Sequence, residues 1–187
     1  MAETYVADAN VLYSRVLRDY LLYAMRAKLI VVVWSRSILD EVTEHLIQNR
    51  LGFTQESADR LVSAMNDTYP YSQRDAQLAD FQAISGLELP DEDDRHVIAT
   101  AIGAPARFIC THDVRHFPPG VMDRFGLAVV TPDDVLCPLI WDHEELMLWV
   151  HRMSVGSLPG ATDETTMAAL RNAGAQRTAS LIAELLH

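Results

Sequence analysis

The chain has 187 residues, of which 49% are hydrophobic and 22% are charged, and its formal net charge is -11 at pH 7. This length suits one well-buried core, and the apolar content excludes disorder over most of the chain. The negative charge argues against nucleic-acid binding, because most proteins of that class present a basic face. The argument weakens if carboxylates hold metal ions, since a bound cation inverts the local charge.

The composition also bears on the compartment of the protein. The longest apolar run, residues 29–34, is far shorter than the roughly 20 residues that a membrane-spanning helix needs. The N-terminus lacks a basic region followed by an apolar run, so no secretory signal is expected. Cys110 and Cys137 form no disulfide framework, and Cys110 is predicted to be a buried thiol. These features predict a cytoplasmic protein with no membrane partner.

Short β-rich runs alternate with helical stretches in the first half of the chain. Runs of β-branched residues indicate buried strands, and apolar residues at a period of 3.6 indicate helices. In chain order the segments are a strand at 4–8, a helix at 10–26, a strand at 30–34, a helix from a Ser35 or Ser37 cap to about 50, a helix at 54–69 and a further helix between 72 and 84.

The second half continues the alternation and then becomes wholly helical. Pro90 and the acidic run at 91–94 predict the first turn of a helix that ends near residue 102, because carboxylates favour the positive end of a helix dipole. The remaining segments are strands at 107–111 and 127–131, a short helix from Pro118 to Gly126, and helices at 139–153 and 162–186.

Strands that alternate with helices predict parallel pairing through right-handed crossovers. The expected fold class is therefore α/β, with a central parallel sheet of about four strands. The strand signals end near residue 132, so we expect an α/β domain over residues 1–136 and a helical C-terminal extension over residues 137–187.

Four acids from distant parts of the chain are predicted to meet at one edge of this sheet. They are Asp8, Glu41, Asp94 and Asp113. Each lies close to the end of a predicted strand or in a helix beside one, and ligands of a parallel sheet bind at the carboxyl ends of its strands. Converged carboxylates repel each other, and hard divalent cations relieve that repulsion. The cluster therefore predicts metal-assisted chemistry on a phosphodiester.

Each acid also has an ordinary structural interpretation. Asp8 and Asn10 could cap the following helix, and Asp113 could form an Asx-turn. The acids at 91–94 could only complement the helix dipole, and Glu41 could be a solvated helix position. The metal-centre hypothesis therefore depends on the four acids together and not on any one of them.

The histidines near these acids allow a second kind of metal site. His112 and His116 flank Asp113, and Cys110 lies close by. The spacing lacks the second ligand pair that is typical of a zinc site, so turn or surface positions are favoured for both histidines.

Four sequence blocks contain most of these polar residues. They are V-A-D-A-N-V-L-Y-S (6–14), S-I-L-D-E-V (37–42), L-P-D-E-D-D-R-H-V-I-A-T-A-I (89–102) and I-C-T-H-D-V-R-H-F-P (109–118). In this order they resemble the four signature blocks of PIN-domain ribonucleases. The third block is the most specific, and it is similar to the bacterial subgroup that includes VapC-type toxins of type II toxin–antitoxin pairs.

The resemblance implies a PIN-like α/β/α sandwich and an endoribonuclease that depends on Mg²⁺ or Mn²⁺. The family's catalytic and metal-binding quartet falls on Asp8, Glu41, Asp94 and Asp113. Its supporting polar positions fall on Asn10 and Thr111, with Asp91 and Asp93 as neighbouring acids. One departure is visible, because relatives often carry Asn where Asp113 stands and Asp where His116 stands.

Three functions stay open on these grounds. The first is a toxin ribonuclease that acts on RNA and is inhibited by a small antitoxin protein. The second is a housekeeping RNA-processing nuclease, and the third is a non-catalytic PIN-like module that binds through its helical extension. Acids at all four positions argue against the third. By analogy with the family, a homodimer is also expected.

Overall fold

A parallel four-stranded sheet forms the centre of the structure. In this computed structural model, which describes residues 2–187, the strands are β1 (Thr4–Ala7), β2 (Val31–Val33), β3 (Phe108–Cys110) and β4 (Ala128–Val130), in the order β2-β1-β3-β4. Every neighbouring pair is parallel. The predicted α/β class with four parallel strands is confirmed.

The register of the two central strands places their carboxyl ends level with each other. Ala7, the last residue of β1, pairs with Cys110, the last residue of β3. The backbone N–H of Asp8 then donates to the Cys110 carbonyl at 3.0 Å, so the pairing extends by one residue beyond β1. The residues that follow these two strands, Asp8 and Thr111, are therefore neighbours.

Helices surround this sheet. Between residues 2 and 187 they are α1 (Ala9–Leu12), α2 (Arg15–Arg26), α3 (Arg36–Asn49), α4 (Gln55–Thr68), α5 (Leu78–Ala83), α6 (Arg95–Gly103), α7 (Pro119–Met122), α8 (Pro132–Asp142), α9 (Glu144–Gly156), α10 (Asp163–Asn172) and α11 (Gln176–Leu185). Helix α2 contacts β2, α6 contacts β1 and β3, and α7 contacts β4. Over the same residues, none of these helices has both the length and the apolar composition needed to cross a membrane.

The prediction of one continuous helix over residues 10–26 is wrong. Helix α1 ends at Leu12 and α2 begins at Arg15, and Ser14 between them has an extended backbone (φ -69°, ψ 114°). The buried guanidinium of Arg18 donates to the Leu12 carbonyl at 2.5 Å. This contact provides a partner for a carbonyl at the helix end, which apolar spacing alone does not reveal.

The predicted helix between residues 72 and 84 is only partly present, as the short α5. The residues before it extend the edge of the sheet instead, because Trp34 donates its N–H to the Ser72 carbonyl at 3.0 Å and accepts from the Arg74 N–H at 2.8 Å. These backbone bonds hold residues 72–74 beside the end of β2, where Gln73 forms an isolated parallel bridge with Trp34.

The C-terminal region contains four helices where two were predicted. Helix α8 begins with a capping box between Thr131 and Asp134, a start signal that is visible in the sequence. Gly174, with a φ of +83°, separates α10 from α11, and this left-handed backbone favours glycine. The predicted boundary between the α/β domain and the C-terminal extension, at residues 136 and 137, lies inside α8. The division into these two parts stays a prediction.

The C-terminal helices share the hydrophobic core of the α/β part. Helices α9 and α10 pack on α2, and α11 packs on α8. Leu21 of α2, Val150 of α9 and Ile182 of α11 belong to one cluster of buried side chains, and all three are fully buried. The extension therefore contributes to the same folded unit.

A buried polar chain also joins the extension to α2. The Tyr20 hydroxyl lies 2.5 Å from Nδ1 of His151, and Nε2 of His151 lies 3.0 Å from Oδ1 of Asp163. A neutral imidazole satisfies both contacts when Nε2–H donates to Asp163 and Nδ1 accepts from Tyr20. Burial lowers the pKa of His151 and raises that of Tyr20, so both side chains stay neutral.

This burial predicts a loss of stability in mild acid. Below pH ~6.5 the unfolded chain protonates His151 while the folded protein keeps it neutral, so its contribution is present above that pH and is lost as the pH falls. His151→Gln removes the titration and weakens the chain, at a cost of about 1–3 kcal/mol near pH 8. Urea unfolding from pH 8 to pH 5 should show the two proteins converging in stability. A difference in the free energy of unfolding between the two proteins that stays constant with pH would contradict the prediction.

Candidate functional site

An open acidic cavity of about 680 Å³ lies at the carboxyl edge of the sheet. The predicted site residues that line it are Asp8, Asn10, Glu41, Asp91, Asp93, Asp94 and Asp113. Thr111 is fully buried beside them and donates its hydroxyl to Oδ2 of Asp8 at 2.6 Å. The structure thus brings every predicted site residue to one place. We call this space the acidic cavity.

Asp8 caps helix α1 and also lines the acidic cavity. Its Oδ1 accepts from the Ala9 N–H at 2.7 Å, which caps the short helix α1. Its Oδ2 accepts from the Thr111 hydroxyl and from Nδ2 of Asn10, at 2.6 and 2.9 Å. The residue is only 4% exposed, so these donors replace most of the water that a free carboxylate would bind.

The carboxamide of Asn10 connects the start of α1 to the loop that follows β3. Its Nδ2 lies 2.9 Å from Oδ2 of Asp8, from Oγ1 of Thr111 and from Oδ2 of Asp113. Its Oδ1 accepts from the backbone N–H of His112 at 3.1 Å. One short amide side chain therefore fixes the relative positions of the two acids that follow β1 and β3.

The acidic run before α6 is not the first turn of a helix, and that prediction is wrong. Helix α6 begins at Arg95, and Asp94 is its N-cap residue but makes no side-chain cap bond. The Asp94 carboxylate instead lies in the acidic cavity, with Oδ2 at 2.9 Å from Nδ1 of His116. Asp91 and Asp93 lie in the turn before the helix and line the same cavity.

Arg95 holds this acidic turn from behind. Its guanidinium pairs with Glu92 and donates to the backbone carbonyls of Ile84, at 2.7 Å, and Leu87. These contacts tie the acidic turn to the end of α5 and the loop after it. The sequence neighbours Glu92 and Arg95 thus have a positioning role.

Three histidines that sequence reasoning did not assign to the site, His45, His96 and His116, also line the acidic cavity. Ligand atoms of His116, Asp91 and Asp94 lie within 4.8 Å of one another, a grouping that could hold a metal ion. Nε2 of His96 lies 3.6 Å from Oε2 of Glu41. The signal for His116 was its place in the fourth block, where relatives often carry Asp.

The zinc interpretation finds no support in the position of Cys110. This thiol is fully buried, and burial raises its pKa, so it stays protonated. His112 lines a different cavity from the one that contains His116.

The carboxylates of the acidic cavity disfavour one another's charge. Burial raises the pKa of Asp8, of Glu41 and of Asp94, and for the last two the negative charge of Asp8 is the next cause. The charge of Asp8 is therefore felt by both Glu41 and Asp94 across the acidic cavity. Carboxylate oxygens are the ligands that Mg²⁺ and Mn²⁺ prefer, so the donor set fits such ions.

The repulsion predicts that Glu41→Gln stabilises the metal-free protein. At pH 7.5 the variant removes a charge that burial and Asp8 disfavour, and we expect its melting temperature to rise by about 2 °C. In the folded wild type Glu41 binds its proton at a higher pH than in the unfolded chain, so the difference should vanish near pH 4. Calorimetry with a chelator tests this. The exposed Glu88, changed to Gln, is the control, and an equal rise there would contradict the explanation.

The acidic cavity lies at the carboxyl edge of a parallel sheet, where ligands bind, and its carboxylates suit the divalent cations that several classes of hydrolase use, nucleases among them. A family model described as PIN domain matches residues 4–115, which is more than half of the chain. The chain therefore belongs to the PIN-domain family, whose members are generally metal-dependent nucleases. No curated protein and no solved structure matches it. His116 and the C-terminal helices lie beyond the matched residues.

Proposed function

We propose that this protein is a divalent-metal-dependent endoribonuclease that hydrolyses RNA phosphodiester bonds. The observation that carries the proposal is the convergence of Asp8, Glu41 and Asp94, whose charges disfavour one another, in an open cavity. A protein that gained nothing from this arrangement would lose stability by keeping it. Mg²⁺ or Mn²⁺, when bound there, would lower the pKa of a water molecule and neutralise charge on the phosphate.

The side chains have separable roles in this proposal. Asp8, Asp94, Glu41 and Asp113 would provide the carboxylate oxygens that bind the cations. Asn10 and Thr111 orient Asp8 through the hydrogen bonds described above. Asp91 and Asp93 support the acidic turn, since the Asp93 N–H donates to Oδ1 of Asp91 at 3.0 Å.

We further propose that the nuclease is the toxin of a cytoplasmic type II toxin–antitoxin pair. The similarity of the acidic block to VapC-type toxins supports this role. The open acidic cavity supports it too, because an arginine from a small antitoxin would pair with carboxylates in a bidentate geometry. A neighbouring gene for a small basic-tailed protein is expected. A homodimer stays a prediction from the family.

Asp94→Asn should abolish cleavage without unfolding the protein. The variant keeps the size of the side chain but removes a charge from the proposed metal ligands, so RNA cleavage in Mn²⁺ should fall at least ~100-fold. The measurement is cleavage mapping of total RNA, with circular dichroism to check the fold. Asp67→Asn, an exposed change in α4, is the matched control and should cleave as the wild type does. Wild-type protein that leaves RNA intact in both Mg²⁺ and Mn²⁺ would refute the proposal.

His116 should make the centre favour Mn²⁺ over Mg²⁺. An imidazole nitrogen binds first-row transition ions better than it binds Mg²⁺, and His116 lies against Asp91 and Asp94. We expect His116→Asp to keep Mg²⁺ binding and to lower the Mn²⁺ preference about tenfold in calorimetry. Electron paramagnetic resonance of bound Mn²⁺ should show nitrogen coupling that the variant lacks. No nitrogen coupling in the wild type would mean that His116 only orients Asp94.

A further inference from the structure

A second cavity of about 700 Å³ adjoins the acidic cavity and has the C-terminal extension as one wall. Its walls are the break between α1 and α2 (residues 13–16), His112 of the loop after β3, and Ala169 and residues 172–174 of the extension. We call it the extension groove. It is open to solvent, and neither the acidic quartet nor the supporting acids line it.

Asn10 lies between the two cavities, since it lines both of them. Its Nδ2 bonds to Asp8 and Asp113 on the acidic side, and its Oδ1 accepts from the backbone N–H of His112 on the groove side. The extension groove is therefore separated from the acids by the side chain of Asn10 alone.

The chemistry of the extension groove differs from that of the acidic cavity. Its lining within the described chain contains no carboxylate and presents the phenol ring of Tyr13, the imidazole of His112 and the carboxamide of Asn172. Unpaired RNA bases stack on such rings and form hydrogen bonds with such amides. An RNA strand, which is a polyanion, would also meet less electrostatic repulsion from the groove lining than from the acids of the acidic cavity.

Contacts outside the extension groove fix two of its side chains in place. The Tyr13 ring meets the ring of His45, a residue of the acidic cavity, edge to face with centroids 6.4 Å apart. The Arg15 guanidinium lies 3.1 Å from Asp19 and 2.7 Å from the Ser157 hydroxyl of the extension. Both groups are thus positioned before any ligand arrives, which lowers the entropy cost of binding.

The turn after α10 approaches the active-site loop closely. A Cβ on Gly174 would lie 3.0 Å from Cε1 of His112, and the φ of +83° also favours glycine there. The extension therefore packs directly against the residue next to Asp113, and the groove wall has a fixed distance from the acids.

We propose that the extension groove binds a nucleotide of single-stranded RNA next to the scissile phosphate, so that the C-terminal extension selects the substrate. This inference rests on the proposed ribonuclease function. The cavity volume lies within the usual range for small-ligand sites, which accommodates a nucleoside. Stacking of one base is worth enough to change substrate preference about tenfold or more.

The test fills the groove without touching the acids. Asn172→Trp places a large ring in the groove, and Ala168→Trp, an exposed change on the same helix outside the lining, is the matched control. We expect kcat/KM for a single-stranded RNA of about ten nucleotides to fall about tenfold in Asn172→Trp alone. Mn²⁺ affinity, measured by calorimetry, should be the same in both variants and in the wild type.

Substrates with one abasic position identify the nucleotide that the groove holds. For the wild type, kcat/KM should fall about tenfold when the abasic position is one particular nucleotide beside the cleavage site. For Asn172→Trp, the same abasic position should cause no further fall in kcat/KM. Equal RNA cleavage by the two Trp variants would overturn the groove proposal and leave the nuclease intact. A wild type that cleaves no RNA would overturn the nuclease itself, and the groove proposal with it. Unchanged RNA cleavage with weakened inhibition by an antitoxin would reassign the groove to a protein.

Discussion

The repulsion among carboxylates at the end of β1 is the constraint on which the rest of the site depends. Asp8 is nearly buried, and its charge raises the pKa of both Glu41 and Asp94. The fold tolerates this because the carboxylate of Asp8 accepts hydrogen bonds from Ala9, Asn10 and Thr111. Those donors lie at the start of α1 and directly after β3. The register of β1 against β3 therefore determines which groups can bind the Asp8 carboxylate.

Much of this arrangement follows from local patterns in the sequence. The four strands were predictable because β-branched runs such as residues 30–34 suit a buried parallel sheet. The convergence of Asp8 and Asp113 was predictable because each follows a parallel strand, and parallel strands present their carboxyl ends at one edge. The same rule could not give the geometry of Asp94, whose backbone caps α6 while its side chain lies in the cavity.

What the sequence could not predict depends on contacts between distant residues. The break before α2 depends on the hydrogen bond from Arg18 to the Leu12 carbonyl, and the position of residues 72–74 depends on their hydrogen bonds with the backbone of Trp34. His116 contacts Asp91 and Asp94 because the turn at residue 91 packs beside the loop after β3, and this packing is not visible in the sequence. The spacing of apolar residues predicts helices and strands, but it gives no information about single contacts between residues that are distant in the chain.

The shared core of the α/β part and the C-terminal helices has an evolutionary consequence. Leu21, Val150 and Ile182 lie in one buried cluster, so neither part keeps its apolar surface covered without the other. A gene truncated before α9 would encode a protein with an exposed face on α2. Recombination that replaced the C-terminal helices would have to supply new helices whose apolar side chains fit the exposed face of α2. The two parts are therefore expected to evolve together.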